Sequence, residues 1–266
     1  MRRLITGALL AVTMAGCSVS TQQEVEMGTQ YAQQINAQLP IVQDPEINRY
    51  VNVLGNQIAQ RADQRGLQYR FFVVNAPEIN AFAVPGGYIY MNRGLIERTN
   101  TLSQLAGVLG HEIGHVVRRH SVQQMQKMQG ANLGVGLACI LTSICNSDLG
   151  ATAINVGGTA VFAKFSRDDE FEADQEAIRN VIRAGIHPRG IPEMFQILIN
   201  ERNRNNSAVE SWFATHPTEE DRVERSRQSI QQVDPAILRN LTVDSQNFHS
   251  FRNRVRALPA APRARR

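Results

Sequence analysis

The chain has 266 residues, 42% of them hydrophobic, and a formal net charge of +4, enough to bury a substantial core in one or two domains. Six arginines and no acid lie between Arg252 and Arg266, so the remainder is slightly acidic. No basic stripe interleaved with aromatics runs along a predicted element, which excludes a nucleic-acid partner, and the basic tail with Pro259 and Pro262 is expected to be a disordered end.

Residues 1–16 read as a signal peptide: Arg2 and Arg3, an apolar run from Leu4 to Ala15, then the small pair Ala15-Gly16. Twelve apolar residues are too few to span a bilayer. Met14-Ala15-Gly16-Cys17 resembles a bacterial lipoprotein box, with Met where Leu is usual. The resemblance implies that Cys17 is lipidated, and Ser18 after it implies the outer membrane facing the periplasm. Acyl chains bind a bilayer with roughly 0.8 kcal/mol per buried methylene, so several make a stable anchor. Cys139 and Cys145 then remain as an even pair in an oxidising compartment. They form either a short-loop disulfide or two reduced, buried thiols.

Residues 17–43 are Gln-rich and read as a tether passing into a first helix, with Val25, Met27, Tyr31, Ile35 and Leu39 at loose helical spacing. Asp44-Pro45 is a helix start, an N-cap followed by proline at the first turn. The helix runs to about Ala62 and buries Ile47, Val51, Leu54 and Ile58. Tyr69 to Val74 is β-rich, and Asn80 to Val84 and Tyr88 to Met91 are two short strands about the turn Pro85-Gly86-Gly87.

Next comes His111-Glu112-Ile113-Gly114-His115. On a helix turning about 100° per residue, histidines four apart share one face. They are spaced to share one tetrahedral zinc, with the intervening carboxylate beside it as general base. Thr101 and Gln104 form a capping-box pattern, and Leu102, Leu105, Val108, Leu109, Val116 and Val117 give an apolar stripe. His120, five residues past His115, falls off that face and is expected at the surface. Residues 131–163 are rich in small and apolar residues and read as two short helices. Helices follow over Phe165 to Arg183, ending at Gly185, over Ile191 to Asn203, from a Thr218 cap to Val233, and beyond Pro235.

A hydrolytic zinc needs a third protein ligand and one open position. Within the acidic run Ser166 to Asp174, Glu170 and Asp174 lie four apart on one helical face, whereas Glu172 points away to solvent. Glu170 as ligand with Asp174 orienting a zinc histidine satisfies both needs.

These landmarks, with the segment Asn80-Ala81-Phe82-Ala83-Val84-Pro85-Gly86-Gly87-Tyr88-Ile89-Tyr90, resemble the HtpX and CAAX-prenyl-protease family of zinc peptidases, and among them its soluble periplasmic lipoproteins. The resemblance covers roughly Asp44 to Gln232 and implies Zn2+ on His111, His115 and Glu170, with Glu112 catalytic. It also implies that the strand carrying Asn80, Ala81, Phe82 and Ala83 takes an extended substrate along its edge. His216-Pro217, with Arg222 six residues on, also recurs in that family. The resemblance gives His216 a catalytic or zinc-capping role and places Arg222 with the substrate-binding residues.

The expected fold is therefore α+β, mostly helical, with a small sheet and edge hairpin packed on the zinc helix. The peptidase domain spans residues 44–233, and residues 234–266 form a helical extension and basic tail. The expected function is a zinc endopeptidase of the bacterial envelope, acting on unfolded or misassembled envelope polypeptides. The competing reading is an envelope assembly factor or chaperone with a latent or structural zinc.

Overall fold

The structure is a computed structural model, and residues 19–130, 164–204, 206–217 and 220–261 are described. The signal segment, Cys17, Cys139, Cys145, the small-residue stretch 131–163 and the Thr218 cap lie outside the described residues.

The architecture is mostly helical with one small sheet. The elements run α1 (Thr21–Gln38), α2 (Pro45–Ala62), β1 (Arg70–Val74), β2 (Ala81–Val84), β3 (Tyr88–Asn92), α3 (Arg93–Arg98), α4 (Leu102–Val117) and α5 (His120–Gly130). They continue as α6 (Arg167–Arg183), α7 (Gly190–Asn203), α8 (Glu210–Thr215), α9 (Glu220–Gln231), α10 (Pro235–Leu238) and α11 (Gln246–Arg256).

At the centre stands α4, with every side chain from Leu102 to Val116 buried. Its stripe packs against α2 on one side, α6 and α7 on others, and β2 at the sheet. The Thr101 hydroxyl caps it by accepting the Gln104 N–H, while the Gln104 side chain reaches back to the Asn100 N–H, one residue beyond the expected box. Two glycines one turn apart set the approach of α6. A Cβ at Gly114 would lie 2.8 Å from the Ala173 carbonyl oxygen, and one at Gly110 would lie 3.0 Å from Val181 Cγ1.

The sheet has the order β1-β3-β2, so β2 lies at an edge. Its strands are parallel between β1 and β3 (Arg70 opposite Tyr88) and antiparallel between β2 and β3 (Ala81 opposite Met91). The alternation of side chains divides its faces. Phe71, Val73, Ala81, Ala83, Ile89 and Met91 enter the main core, whereas Phe82, Val84, Tyr88 and Tyr90 form a second cluster with Ala32 and Ile35 of α1. The connecting turn needs its glycines, because Gly86 and Gly87 have φ of 79° and 92°.

α2 follows the sequence reading: Asp44 caps it, Pro45 opens it, and Ile47, Val51, Leu54 and Ile58 are buried. Two other expectations need correction. The helix read into residues 17–43 forms as α1 with a capping box on Ser20 and Gln23, but its buried face is Glu24, Gly28, Ala32 and Ile35. Close backbone approach selects that face, since a Cβ at Gly28 would sit 1.8 Å from the Pro85 carbonyl oxygen. The basic tail does not begin as a disordered end. Arg252, Arg254 and Arg256 lie on α11, whose Phe248, Phe251 and Val255 enter the main core. Their guanidinium groups donate to the Thr99 carbonyl, the Asp44 carboxylate and the Glu97 carbonyl respectively.

Adding a methyl at Gly114 forces the two central helices apart. Gly114→Ala is expected to lower the stability of metal-free protein by about 1–3 kcal/mol and to weaken zinc binding, read by denaturant titration and chelator competition. A wild-type value for both would show that the helices have room to spare.

Candidate metal centre

Three elements deliver the donors. α4 carries His111, Glu112 and His115 on its buried face, one turn apart. α6 starts at a capping box between Ser166 and Asp169 and, one turn in, points Glu170 and Asp174 at α4. α8 ends at His216, whose backbone N–H still bonds to the Trp212 carbonyl, and the indole of Trp212 stacks on the His216 ring at 4.6 Å. His111, His115, Glu170 and His216 are all buried.

Around one point the separations are 3.0 Å from His111 Nε2 to His115 Nε2, 3.4 Å from His111 Nε2 to His216 Nδ1, and 3.4 Å from His115 Nε2 to Glu170 Oε1. His216 Nδ1 lies 3.0 Å from Glu170 Oε1, and His111 Nε2 lies 3.5 Å from Glu170 Oε2. Donors at the corners of a tetrahedron about zinc, each about 2.0–2.1 Å from the ion, lie roughly 3.4 Å from one another. The observed spacing fits such an ion, and a set of imidazoles and one carboxylate suits zinc. Three imidazoles and a carboxylate turn donor atoms toward one point, and a bound cation would satisfy them together.

Behind these donors lies a charge network. His111 Nδ1 is 2.8 Å from Asp174 Oδ1. Arg222 of α9 is buried; its Nε and Nη2 donate to the two Asp174 oxygens at 2.8 and 2.7 Å, and its Nη1 donates to Glu170 Oε2. Its guanidinium also lies 4.3 Å from the centroid of the Phe195 ring. Arg222 therefore holds the carboxylates from behind. The resemblance grouped it with the substrate-binding residues; in the structure its donors face the two acids.

Burial opposes charge on His111, yet the Asp174 hydrogen bond and the Glu170 carboxylate outweigh it and lift its pKa to about 9. For His115 burial wins and the pKa is lowered. Burial would also raise Glu170, but the charge of Arg222 leads the effects that hold it well below the usual carboxylate range. Glu112 moves the other way, pushed up by burial. Neither of its carboxylate oxygens has a hydrogen-bond partner among the described residues, and Oε1 lies 3.6 Å from His216 Nε2. A buried carboxylate left in that state requires an explanation, and a water or substrate proton is the natural one.

The sequence placed His120 at the surface, and the structure overturns this. His120 is 2% exposed, and its Nδ1 lies 2.9 Å from Nδ1 of His115. The periodicity assumed one continuous helix, but α4 stops at Val117 and Arg119 takes a left-handed φ of 59°. α5 thus starts in a new direction and swings His120 back. No glycine or proline in Arg118-Arg119 signals that break. Phe165, read only as a helix start, lies against the ring of His115 at 3.9 Å. Glu172 is half exposed, as expected. Ala81, Phe82 and Ala83 lie on the edge strand β2, which packs against α4, with Asn80 just before it.

A H-E-x-x-H helix meeting a glutamate from a second helix, all buried and spaced for one tetrahedral ion, defines a zinc metallopeptidase. Residues 45–230 match the model of Peptidase family M48, and the chain belongs to that family. It is 31% identical over 249 residues to the beta-barrel assembly-enhancing protease of Escherichia coli K12, covering 91% of this chain and 50% of that protein. It is also 28% identical to the Escherichia coli metalloprotease YcaL, over 83% of this chain and 79% of that one. To the Escherichia coli metalloprotease LoiP it is 27% identical, over 79% and 81%. The chain spans about half the length of the beta-barrel assembly-enhancing proteases it matches.

Removing Arg222 leaves two buried carboxylates without their cation, a change that costs about 3–5 kcal/mol where measured. Arg222→Met is expected to destabilise the metal-free protein by that order, and added zinc should recover part of the loss. Thermal unfolding with and without zinc measures both. A variant as stable as the wild type would mean that the network is not held by Arg222.

Proposed function

We propose that the chain is a zinc endopeptidase of the bacterial envelope that hydrolyses peptide bonds in unfolded or misassembled envelope polypeptides and rests in a closed form. One observation carries the reading: four buried donors stand at tetrahedral spacing beside a buried carboxylate whose oxygens have no hydrogen-bond partner among the described residues. His111, His115 and Glu170 would hold the zinc, and His216 would take its fourth position at rest. Bound zinc supplies a Lewis acid and lowers the pKa of a water molecule.

Glu112 takes the proton of the attacking water and returns it to the leaving amine, a task for which its raised pKa suits it. Asp174 and Arg222 keep His111 and Glu170 in place. A His216 displaced to admit water would be available to donate to the developing oxyanion. β2, with Asn80 before it, offers backbone groups to an extended chain, and β-augmentation accepts many sequences. That tolerance suits unfolded substrates.

The envelope location rests on the signal-like residues 1–16, on Cys17 as a lipidated residue anchoring the chain to the outer membrane, and on the names of the similar bacterial proteases. No helix among the described residues is long and apolar enough to cross a membrane. In this reading residues 17–43 lead from the lipid to the peptidase unit 44–233, and residues 234–266 are its helical extension and basic tail. The closed quartet also supports an assembly role in the resting state, with cleavage released when His216 leaves.

The test pairs zinc content with casein cleavage. Glu112→Gln should retain zinc and lose cleavage, whereas His216→Ala should retain zinc less tightly and cleave faster than the wild type. Loss of zinc in Glu112→Gln would contradict its role as base, and slower cleavage by zinc-loaded His216→Ala would contradict the cap.

A further inference from the structure

The two zinc histidines of α4 are oriented differently. His111 turns its outer nitrogen to the Asp174 carboxylate at 2.8 Å. His115 turns its outer nitrogen to another imidazole, with its Nδ1 2.9 Å from Nδ1 of His120. We propose that His120 is the positioning residue for His115, accepting the hydrogen bond that fixes the ring's tautomer and aim. The inference rests on His115 being a zinc ligand.

Protonation logic on the page sets the direction of each bond. His115 Nε2 faces the other donors, 3.0 Å from His111 Nε2 and 3.4 Å from Glu170 Oε1. As a neutral ligand through Nε2, His115 carries its proton on Nδ1. That N–H points at His120 Nδ1, which must therefore be the acceptor, so the His120 proton sits on Nε2. Two carboxylates lie near it, Glu172 Oε2 at 3.5 Å and Asp169 Oδ1 at 3.8 Å, close enough to attract the proton by charge although neither forms a hydrogen bond with it. Both carboxylates favour a proton on that nitrogen and so leave Nδ1 open to accept. The chain of groups runs from two acids through His120 to His115.

His120 is held in place for this. Arg119, in its left-handed turn, donates from Nε to the buried Glu24 carboxylate at 2.8 Å and from Nη2 to the Val19 carbonyl at 2.6 Å. Glu24 also accepts from Arg65, whose Nη2 reaches the Val116 carbonyl near the end of α4. The break between α4 and α5 is thus pinned from α1. Phe165 stacks on the His115 ring at 3.9 Å. A neutral acceptor in place of a second carboxylate gives the ion two unequal histidines and adds no further negative charge to the buried site.

The experiment uses the full-length protein in detergent and reads zinc affinity by competition with a chromophoric chelator, with the visible absorption of cobalt-loaded protein as a second readout. His120→Leu removes the acceptor. His120→Asn keeps a carbonyl oxygen close to where Nδ1 stands. His120→Leu should weaken zinc about 10–100-fold, the range for lost partners of metal-ligating histidines, and should shift the cobalt bands. His120→Asn should stay close to the wild type in both. Equal losses in the two variants, or no loss in either, overturns the proposal.

Imidazole 15N–1H correlation spectra of zinc-loaded wild type test the same claim without a substitution. His120 should be protonated at Nε2 and bare at Nδ1, and the reverse tautomer overturns it. Wild type that binds no zinc would instead remove the metal-site reading itself, a result distinct from failure of the His120 assignment.

Discussion

Where α4 and α6 cross, at Gly110 and Gly114, the backbones come close enough that a single methyl would meet a carbonyl or a side chain within about 3 Å. Every distance at the metal centre depends on that crossing. α4 brings two imidazoles and a carboxylate, α6 brings Glu170 and the Asp174 carboxylate behind His111, and neither can deliver them from further away. The other elements support the crossing. α2 and α7 pack on α4 from other sides, and the hairpin lies beside it with α1 across its outer face.

A crossing so tight buries polar groups, and their charges must be answered. Glu170 and Asp174 are desolvated and share the one guanidinium of Arg222. The nitrogens of His111, His115 and His216 converge with Glu170 at a spacing that could hold a metal ion, and a bound zinc would answer them together. Ion binding and folding are therefore coupled, because ligands with no reason to converge in the unfolded chain converge here at a cost that the metal repays. Glu112 is the exception within the site: among the described residues neither of its carboxylate oxygens has a hydrogen-bond partner.

Most of the centre was legible because local spacing carried it. Four-residue spacing placed His111 with His115 and Glu170 with Asp174, and the Asp44-Pro45 start fixed α2. His216 and Arg222 came through family resemblance, since no local periodicity links α8 and α9 to α4. What was missed depended on tertiary approach. The buried face of α1 follows Gly28 against Pro85 rather than an apolar stripe, and Glu24 in that face is an acid buried by two arginines far away in sequence. His120 was lost to a left-handed turn at an arginine, a conformation that residue type does not announce. The C-terminal arginines looked like a tail because charge alone was weighed, while Phe248, Phe251 and Val255 between them supplied the core face of α11.

The central claim is a closed zinc site made of three histidines and one glutamate, with His216 as the removable member. X-ray absorption spectroscopy of the purified protein tests it most directly. The account predicts zinc ligated only by nitrogen and oxygen at about 2.0–2.1 Å, with the scattering of three imidazoles in the wild type and of two in His216→Ala. Sulfur in the first coordination shell, or a spectrum unchanged by His216→Ala, would contradict it.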